Sequence, residues 1–305
     1  MSLKKKIRYR SEYLIFKTFI FFIKISPVFF KKIYRGFALS VFKIGGRRLR
    51  NQVETNLKIA FPSQSDIERK SLAEKIYNHF STIFIEIIYL FGGKSPEKVL
   101  KEIKVEGLEN LTGTLEKGSG AILFSAHFGN WELIPFILSR ELGENIYSIA
   151  RKMDNPLTEK IVTKFRSFMG SNIIYKDGSL RKMLRVMEDN KLVYLLIDQN
   201  TISREGVLAD FFGKKVVAVT SVSQIFLKKK VPVIPLFINY RKDSIVLKIG
   251  KEVKIKESGD YKKDLAACTQ HCLLLIEEEI KNNPEQWFWF HDRWKERELH
   301  RGVNK

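Results

Sequence analysis

The chain has very little cysteine: two residues, Cys268 and Cys272, among 305. That is too few for a disulfide framework and favours a reducing compartment. With His271 they could share one helical face, but no second cluster completes a four-ligand metal site. The pair is therefore expected to pack a helix, and no metal or cofactor is expected. A Gly-x-Ser-x-Gly elbow is absent, which argues against a serine hydrolase. No Gly-x4-Gly-Lys-Ser/Thr loop or Rossmann fingerprint occurs, so nucleotide binding has no support. Internal repeats and low-complexity tracts are missing too. There is also no clean membrane span. Tyr13 to Phe30 is mostly apolar but contains Lys17 and Lys24 and is broken at Pro27. A lysine at the centre of a spanning helix costs on the order of 2.5–3.5 kcal/mol, and a span wants about 20 predominantly apolar residues. The same lysines, with no small-residue cleavage site after them, make a cleavable signal a poor fit.

Acidic charge is the other shortage. Lys and Arg number 54 against 34 Asp and Glu, a net +20, which implies anionic partners such as phospholipid, nucleic acid or acidic proteins. The 23 Phe favour a lipid-facing protein over a nucleic-acid binder. Arg10, Lys17, Lys24 and Lys31 recur every seven residues, a repeat that drifts only about 20° per step on a helix. They would form a narrow basic stripe on an otherwise apolar helix, suited to lie in the interface with its lysines at headgroups. Residues 1–46 are thus expected to be an in-plane or re-entrant membrane anchor. A single span and a soluble capping helix are the alternatives. Both flanks are basic, so charge does not orient a span.

Residues 47–305 are expected to form one α/β domain, a mixed, mostly parallel sheet flanked by helices. Its centre is Ala121-Ile-Leu-Phe-Ser-Ala-His127-Phe-Gly-Asn-Trp-Glu132-Leu. The apolar run predicts a buried strand ending at His127. Gly129 and Asn130 predict a turn, with Asn130 as N-cap of a helix over Trp131 to Leu142. On one continuous helix His127 and Glu132 would stand roughly 140° apart. Across a strand–turn–helix junction the carboxylate can turn back to the imidazole, fix its tautomer and leave the other ring nitrogen as a base. N–H groups near Asn130 and Trp131 would face a developing negative charge.

His127-Phe-Gly-Asn-Trp-Glu132 resembles the His-x4-Asp/Glu box of the bacterial lipid A late acyltransferases, within the glycerolipid acyltransferase superfamily. Other segments extend the likeness from about residue 47 to 297: Asn56-Leu57 with Phe61-Pro62, Arg151-x3-Asn155-Pro156, Asp198-Gln199, Phe211-Phe212-Gly213, and Pro284-Glu-Gln-Trp287 running to Arg293. The resemblance implies that Arg151 lies beside the box, on the thioester oxyanion or on a phosphate. It makes Asp198 a second candidate partner for His127, and the choice between Glu132 and Asp198 stays open. Asn130, Trp131, Asn155, Gln199, Phe211, Phe212 and Arg293 are the expected substrate-binding residues, although core packing would equally explain the two phenylalanines. By the same resemblance the donor is an acyl carrier protein thioester. The acceptor is an anionic lipid A precursor at the cytoplasmic face of the inner membrane, among phospholipid and without nucleic acid.

The remaining chain alternates. Strands are expected at 103–106, 146–150, 171–175 and 192–197, and helices from Ser63 to Leu90, from Pro156 to Met169 and after Ser179. A helix over Val216 to Lys230, a closing hairpin (233–239 and 245–249) and a long helix over Tyr261 to Asn283 complete it. His127, Arg151 and Asp198 all fall at strand ends, where functional residues of doubly wound sheets gather. The residues thus point to an O-acyltransferase with His127 as general base. An acyl-CoA enzyme acting on another phospholipid or glycolipid is the first alternative, and a non-catalytic basic membrane- or nucleic-acid-binding protein the second.

Overall fold

Seven strands make the central sheet, in the order β1-β9-β8-β2-β5-β3-β4. They are β1 (Glu102–Glu106), β2 (Ala121–Ser125), β3 (Ile146–Ala150), β4 (Ser171–Tyr175), β5 (Leu192–Leu196), β8 (Val233–Tyr240) and β9 (Ser244–Ile249). All neighbours are parallel except the β8–β9 hairpin, so the expected mixed, mostly parallel α/β sheet is present. The computed structural model describes residues 2–144, 146–176, 178–202 and 205–295.

Strand alternation divides the core into two halves. Ile122 and Phe124 of β2 and Val193 and Leu195 of β5 pack with α9 (Ser179–Glu188), α10 (Ser221–Lys229) and α11 (Tyr261–Asn282). Cys268 and Cys272 are buried on α11 in that half. Leu123 and Tyr194 point the other way, into a cluster with α6 (Leu108–Leu115), α7 (Leu133–Leu142) and α8 (Pro156–Phe168). Such two-sided burial is why these strands are continuous apolar runs. The helix α4 (Asp66–Phe91) contributes to both halves and begins with a capping box, Ser65 and Glu68 each bonding the other's backbone N–H. It follows α3 (Arg47–Ala60), which Asn56 ties to the C-terminal segment through the carbonyls of Trp289 and His291, each at 2.8 Å.

One expected helix is divided. Of Val216 to Lys230, only Ser221–Lys229 is helical, and Lys214–Val219 is a strand, β7, paired antiparallel with β6 (Gly206–Phe211). The hairpin turns at Phe212 and Gly213, both at positive φ (52° and 68°), the geometry a two-residue turn requires. Val216-Val-Ala-Val219 fits either period, and pairing with β6 decides it.

At the N-terminus, α1 (Leu3–Ile25) and α2 (Lys31–Ser40) follow one another across the break at Pro27. No single described helix is long and apolar enough to cross a membrane; the two segments Leu3–Ile25 and Val28–Lys43 would qualify only together, and they are bent by 117°. Leu14, Ile15, Phe21, Phe22, Phe29, Ile33 and Phe37 are exposed on this pair, while Tyr9 and Ile23 are buried against the body. Arg10, Lys17 and Lys24 are exposed as the stripe requires. Lys31 is not part of it. Beyond the break its ammonium turns inward, 2.9 Å from buried Glu86, which also accepts from the Tyr240 hydroxyl at 2.6 Å. Glu86 and burial together push the Tyr240 phenol far above its ordinary pKa, burial contributing most.

Candidate active site

The register of β2 and β5 sets Ser125 opposite Leu196. Two residues further on, the chains leave the sheet side by side as His127 and Asp198. His127 Nδ1 is 2.8 Å from Asp198 Oδ1, with the imidazole one-fifth exposed and the carboxylate buried. The other carboxylate oxygen accepts the Trp287 indole N–H at 2.8 Å. Burial raises the Asp198 pKa, but the His127 charge, its hydrogen bond and the Trp287 donor outweigh it, so the net direction is down. An ionised Asp198 accepts only, so Nδ1 carries the proton and Nε2 keeps its lone pair. The Gln199 amide nitrogen stands 3.3 Å from that Nε2. Trp131 and Phe288 flank the ring, with centroids at 4.8 and 6.3 Å.

Glu132, the other candidate partner, faces away. It takes two hydrogen bonds from the Arg166 guanidinium on α8, at 2.6 and 3.0 Å. The two hold the start of α7 against α8. Asn130 is not an N-cap either: α7 begins only at Leu133. The Asn130 side chain is fully buried beside the Tyr240 phenol, and neither of its polar atoms has a hydrogen-bond partner of ordinary geometry. The Trp131 and Glu132 N–H groups make no main-chain hydrogen bond among the described residues, which leaves two donors at the helix start near the imidazole.

The box is held from behind by the segment 284–294. Gly129 N–H donates to the Gln286 carbonyl at 2.8 Å, and Phe288 N–H donates to the His127 carbonyl at 2.9 Å. The Gln286 side chain brackets the Tyr240 main chain, at 2.8 and 3.0 Å. Gly129 has φ +53°, and a Cβ there would collide with the Ile238 carbonyl oxygen, so only glycine fits. Three of these contacts, those of Gln286, Trp287 and Phe288, were not assigned from sequence. The Pro-Glu-Gln-Trp motif marks the segment, but nothing local in it shows a clasp on His127, about 160 residues earlier in the chain.

Several expected ligand-facing residues lie inside the protein. Arg293 is fully buried, donates to Asn200 Oδ1 and the Val217 carbonyl, and lies over the Phe211 ring at 5.3 Å. Burial lowers its pKa to about 10. It cannot touch a ligand as placed; it steadies the loop after Asp198. Phe211 is fully buried against Trp287 and Trp294, and Phe212 packs on Phe61 and Trp289. Core packing, the second of the two readings, is what the structure gives for both. Asn155 caps α8 through Leu157 N–H at 3.0 Å, and its amide reaches the Tyr9 carbonyl at 2.9 Å and Glu12 at 3.0 Å. It joins α8 to α1.

Arg151 stands away from the imidazole. Its side chain is 82% exposed, with Asp154 at 3.5 Å as its only ionic partner among the described residues. It lines an open cleft of about 1190 Å³ together with Arg48, Lys152, Lys176, His291 and Lys295, against two carboxylates, Glu205 and Asp292. Lys176 is paired with Glu205 at 3.3 Å. Neither His127 nor Asp198 lines the cleft; Asn200, two residues after Asp198, does, and its N–H lies 3.5 Å from His291 Nε2. His291 had no visible partner in the sequence. Its pKa is lowered, by burial first, and the charges of Asp198, Arg293 and His127 all act on it.

A buried carboxylate, a singly protonated imidazole and a cationic cleft suit removal of a proton from a hydroxyl of an anionic molecule. Comparison with known proteins gives the family. The profile of the family described as bacterial lipid A biosynthesis acyltransferase matches residues 1–296. Lipid A biosynthesis acyltransferase 2 of Shigella flexneri is 22% identical over 80% of this chain and 76% of its own. The lipid A biosynthesis palmitoleoyltransferase of Escherichia coli (strain K12) is 24% identical over 82% and 80%. The phosphatidylinositol mannoside acyltransferase of Mycolicibacterium smegmatis is 21% identical over 64% and 63%. The non-catalytic alternative is thereby set aside: this chain is an acyltransferase and belongs to the bacterial lipid A biosynthesis acyltransferase family.

Proposed function

We propose that the protein transfers a fatty acyl chain from an acyl carrier protein thioester to a hydroxyl of an anionic lipid A precursor, at the cytoplasmic face of the inner membrane. The observation that carries this reading is the His127–Asp198 hydrogen bond, which leaves Nε2 on the side of the one-fifth-exposed ring away from the carboxylate, beside the Gln199 amide. The acceptor hydroxyl displaces the Gln199 amide from Nε2 and gives up its proton as its oxygen attacks the thioester carbonyl. The tetrahedral oxyanion is met by N–H groups at the start of α7. Collapse breaks the C–S bond, and the departing thiolate takes the proton from the imidazolium. An ester and a free thiol result, and His127 returns to its starting tautomer. Arg151, exposed on the rim, and the other cleft cations hold acidic groups of acceptor or donor.

Incubation with acylated carrier protein and a tetra-acylated lipid A precursor should give a product heavier by one acyl chain. His127→Ala should lower the rate on the order of 10²–10⁴-fold while membrane association persists. No product from the wild-type protein would overturn this acceptor. The mycobacterial relative, named for a phosphatidylinositol mannoside, favours a second reading with a different glycolipid acceptor; an acyl-CoA donor is the alternative to the carrier protein. Replacing each substrate in turn in the same assay separates the two.

A further inference from the structure

Beyond Arg151 and Lys152 the cleft continues into a second groove of about 640 Å³ between α1 and α8. The two spaces share those two residues and differ in chemistry. The cleft is cationic; the groove adds Tyr9, Phe16, Met153 and Val162 to a polar rim that includes Arg8, Glu12, Asp154 and Thr158. The gap is built: the Asn155 amide holds the Tyr9 carbonyl and Glu12 at fixed distances, and Tyr9 is buried there. On α1 the groove wall is the i, i+4, i+8 stripe Arg8, Glu12, Phe16. Exposed Ile15 and Phe22 lie roughly 20–40° from Arg8 around the helix axis, so the groove opens onto the apolar outer face of α1. Leu14 and Phe21 continue that face.

A cationic cleft, then a groove with apolar side chains in its wall, then an apolar exterior match an anionic lipid drawn part-way out of a bilayer. Resting on the acyltransferase reading above, we propose that the α1–α8 groove binds an acyl tail of the anionic acceptor. Its headgroup then lies in the cleft and its head–tail junction beside Arg151 and Lys152. The acceptor reaches His127 sideways along α1, without leaving apolar surroundings entirely.

Two measurements on the full-length protein test this. The first incubates it with phosphatidylglycerol vesicles carrying a diazirine at mid-chain, with irradiation and peptide mapping. Cross-links to Phe16 and to 158–162, reduced by unlabelled tetra-acylated lipid A precursor, are expected. Cross-links confined to the outer face of α1 and α2 would overturn the proposal, since bilayer contact alone explains them. The second compares Val162→Trp with wild type on the tetra-acylated precursor and on the same headgroup stripped of its acyl chains. The bulk should raise KM for the acylated acceptor about tenfold more than for the stripped one, the signature of lost ground-state binding; equal changes would overturn the proposal. If the wild type acylates neither acceptor, the proposed acceptor falls, while the cross-links still decide the groove.

Discussion

Which nitrogen of His127 carries the proton depends on a single acceptor. Asp198 can only accept, so Nδ1 is the donor and Nε2 is left for the role of base proposed above. Asp198→Asn offers an amide donor to the same nitrogen and places the proton on Nε2 instead. Activity should fall by about 10²–10⁴, with little change in KM, as steady-state kinetics would show; a drop confined to KM would contradict the assigned role. His79 gives a second test. It is half-buried on α4 between Phe80 and Tyr240, with Nε2 shut off from solvent, and this burial lowers its pKa to about 3. The unfolded imidazole takes a proton near pH 6.5 and the folded one does not, so its contribution is complete above about 6.5 and is lost as pH falls towards 3. Denaturant titrations of His79→Phe should show a shallower acid limb than wild type. His127 and the two candidate carboxylates were legible in the sequence because strand ends and turn formers are local signals. The choice between Glu132 and Asp198 was not: it depends on the β2–β5 register and on Arg166, 34 residues from Glu132.

Among the elements, the segment 284–294 does for the box what no neighbour in sequence does. Its hydrogen bonds to Gly129 and His127 and the indole contact to Asp198 fix both halves of the pair. Trp287→Phe removes the indole N–H and puts a smaller ring in a fully buried place, so a cavity adds to the lost hydrogen bond. The freed carboxylate oxygen should cost about 1–3 kcal/mol of stability and lower kcat more than it raises KM, read by thermal unfolding and kinetics. A fully active, equally stable variant would show the contact to be idle. The strand and helix boundaries of β3, β4 and α8 were legible because Asn155-Pro156 and short apolar runs punctuate them. The β6–β7 hairpin was not, since its turn rests on Phe212 at positive φ, a conformation that residue type does not announce. Arg293 misled for a related reason: exposure is decided by packing around the Phe211 ring, and the basic, aromatic run around it suits a surface just as well.

For the molecule as a whole, +20 of charge and the exposed apolar face of α1 and α2 act together. Binding to vesicles should need anionic lipid and should weaken from 0.05 to 0.5 M salt as the Debye length shortens from about 14 to about 4 Å, yet not vanish, because apolar burial is not screened. Flotation across that salt series, with Phe21→Asp/Phe22→Asp alongside, separates the two contributions: the double variant should lose the salt-resistant part. Full binding by that variant at high salt would mean that another surface docks. The clasp over the box also sets an order of events during synthesis. His127 emerges from the ribosome more than 150 residues before Trp287 and Phe288 do. A half-made chain can therefore carry the imidazole, its strand and even its carboxylate, and still be inert. If flotation bears out docking through α1 and α2, the nascent protein would settle onto the bilayer long before it acquires any chemistry there.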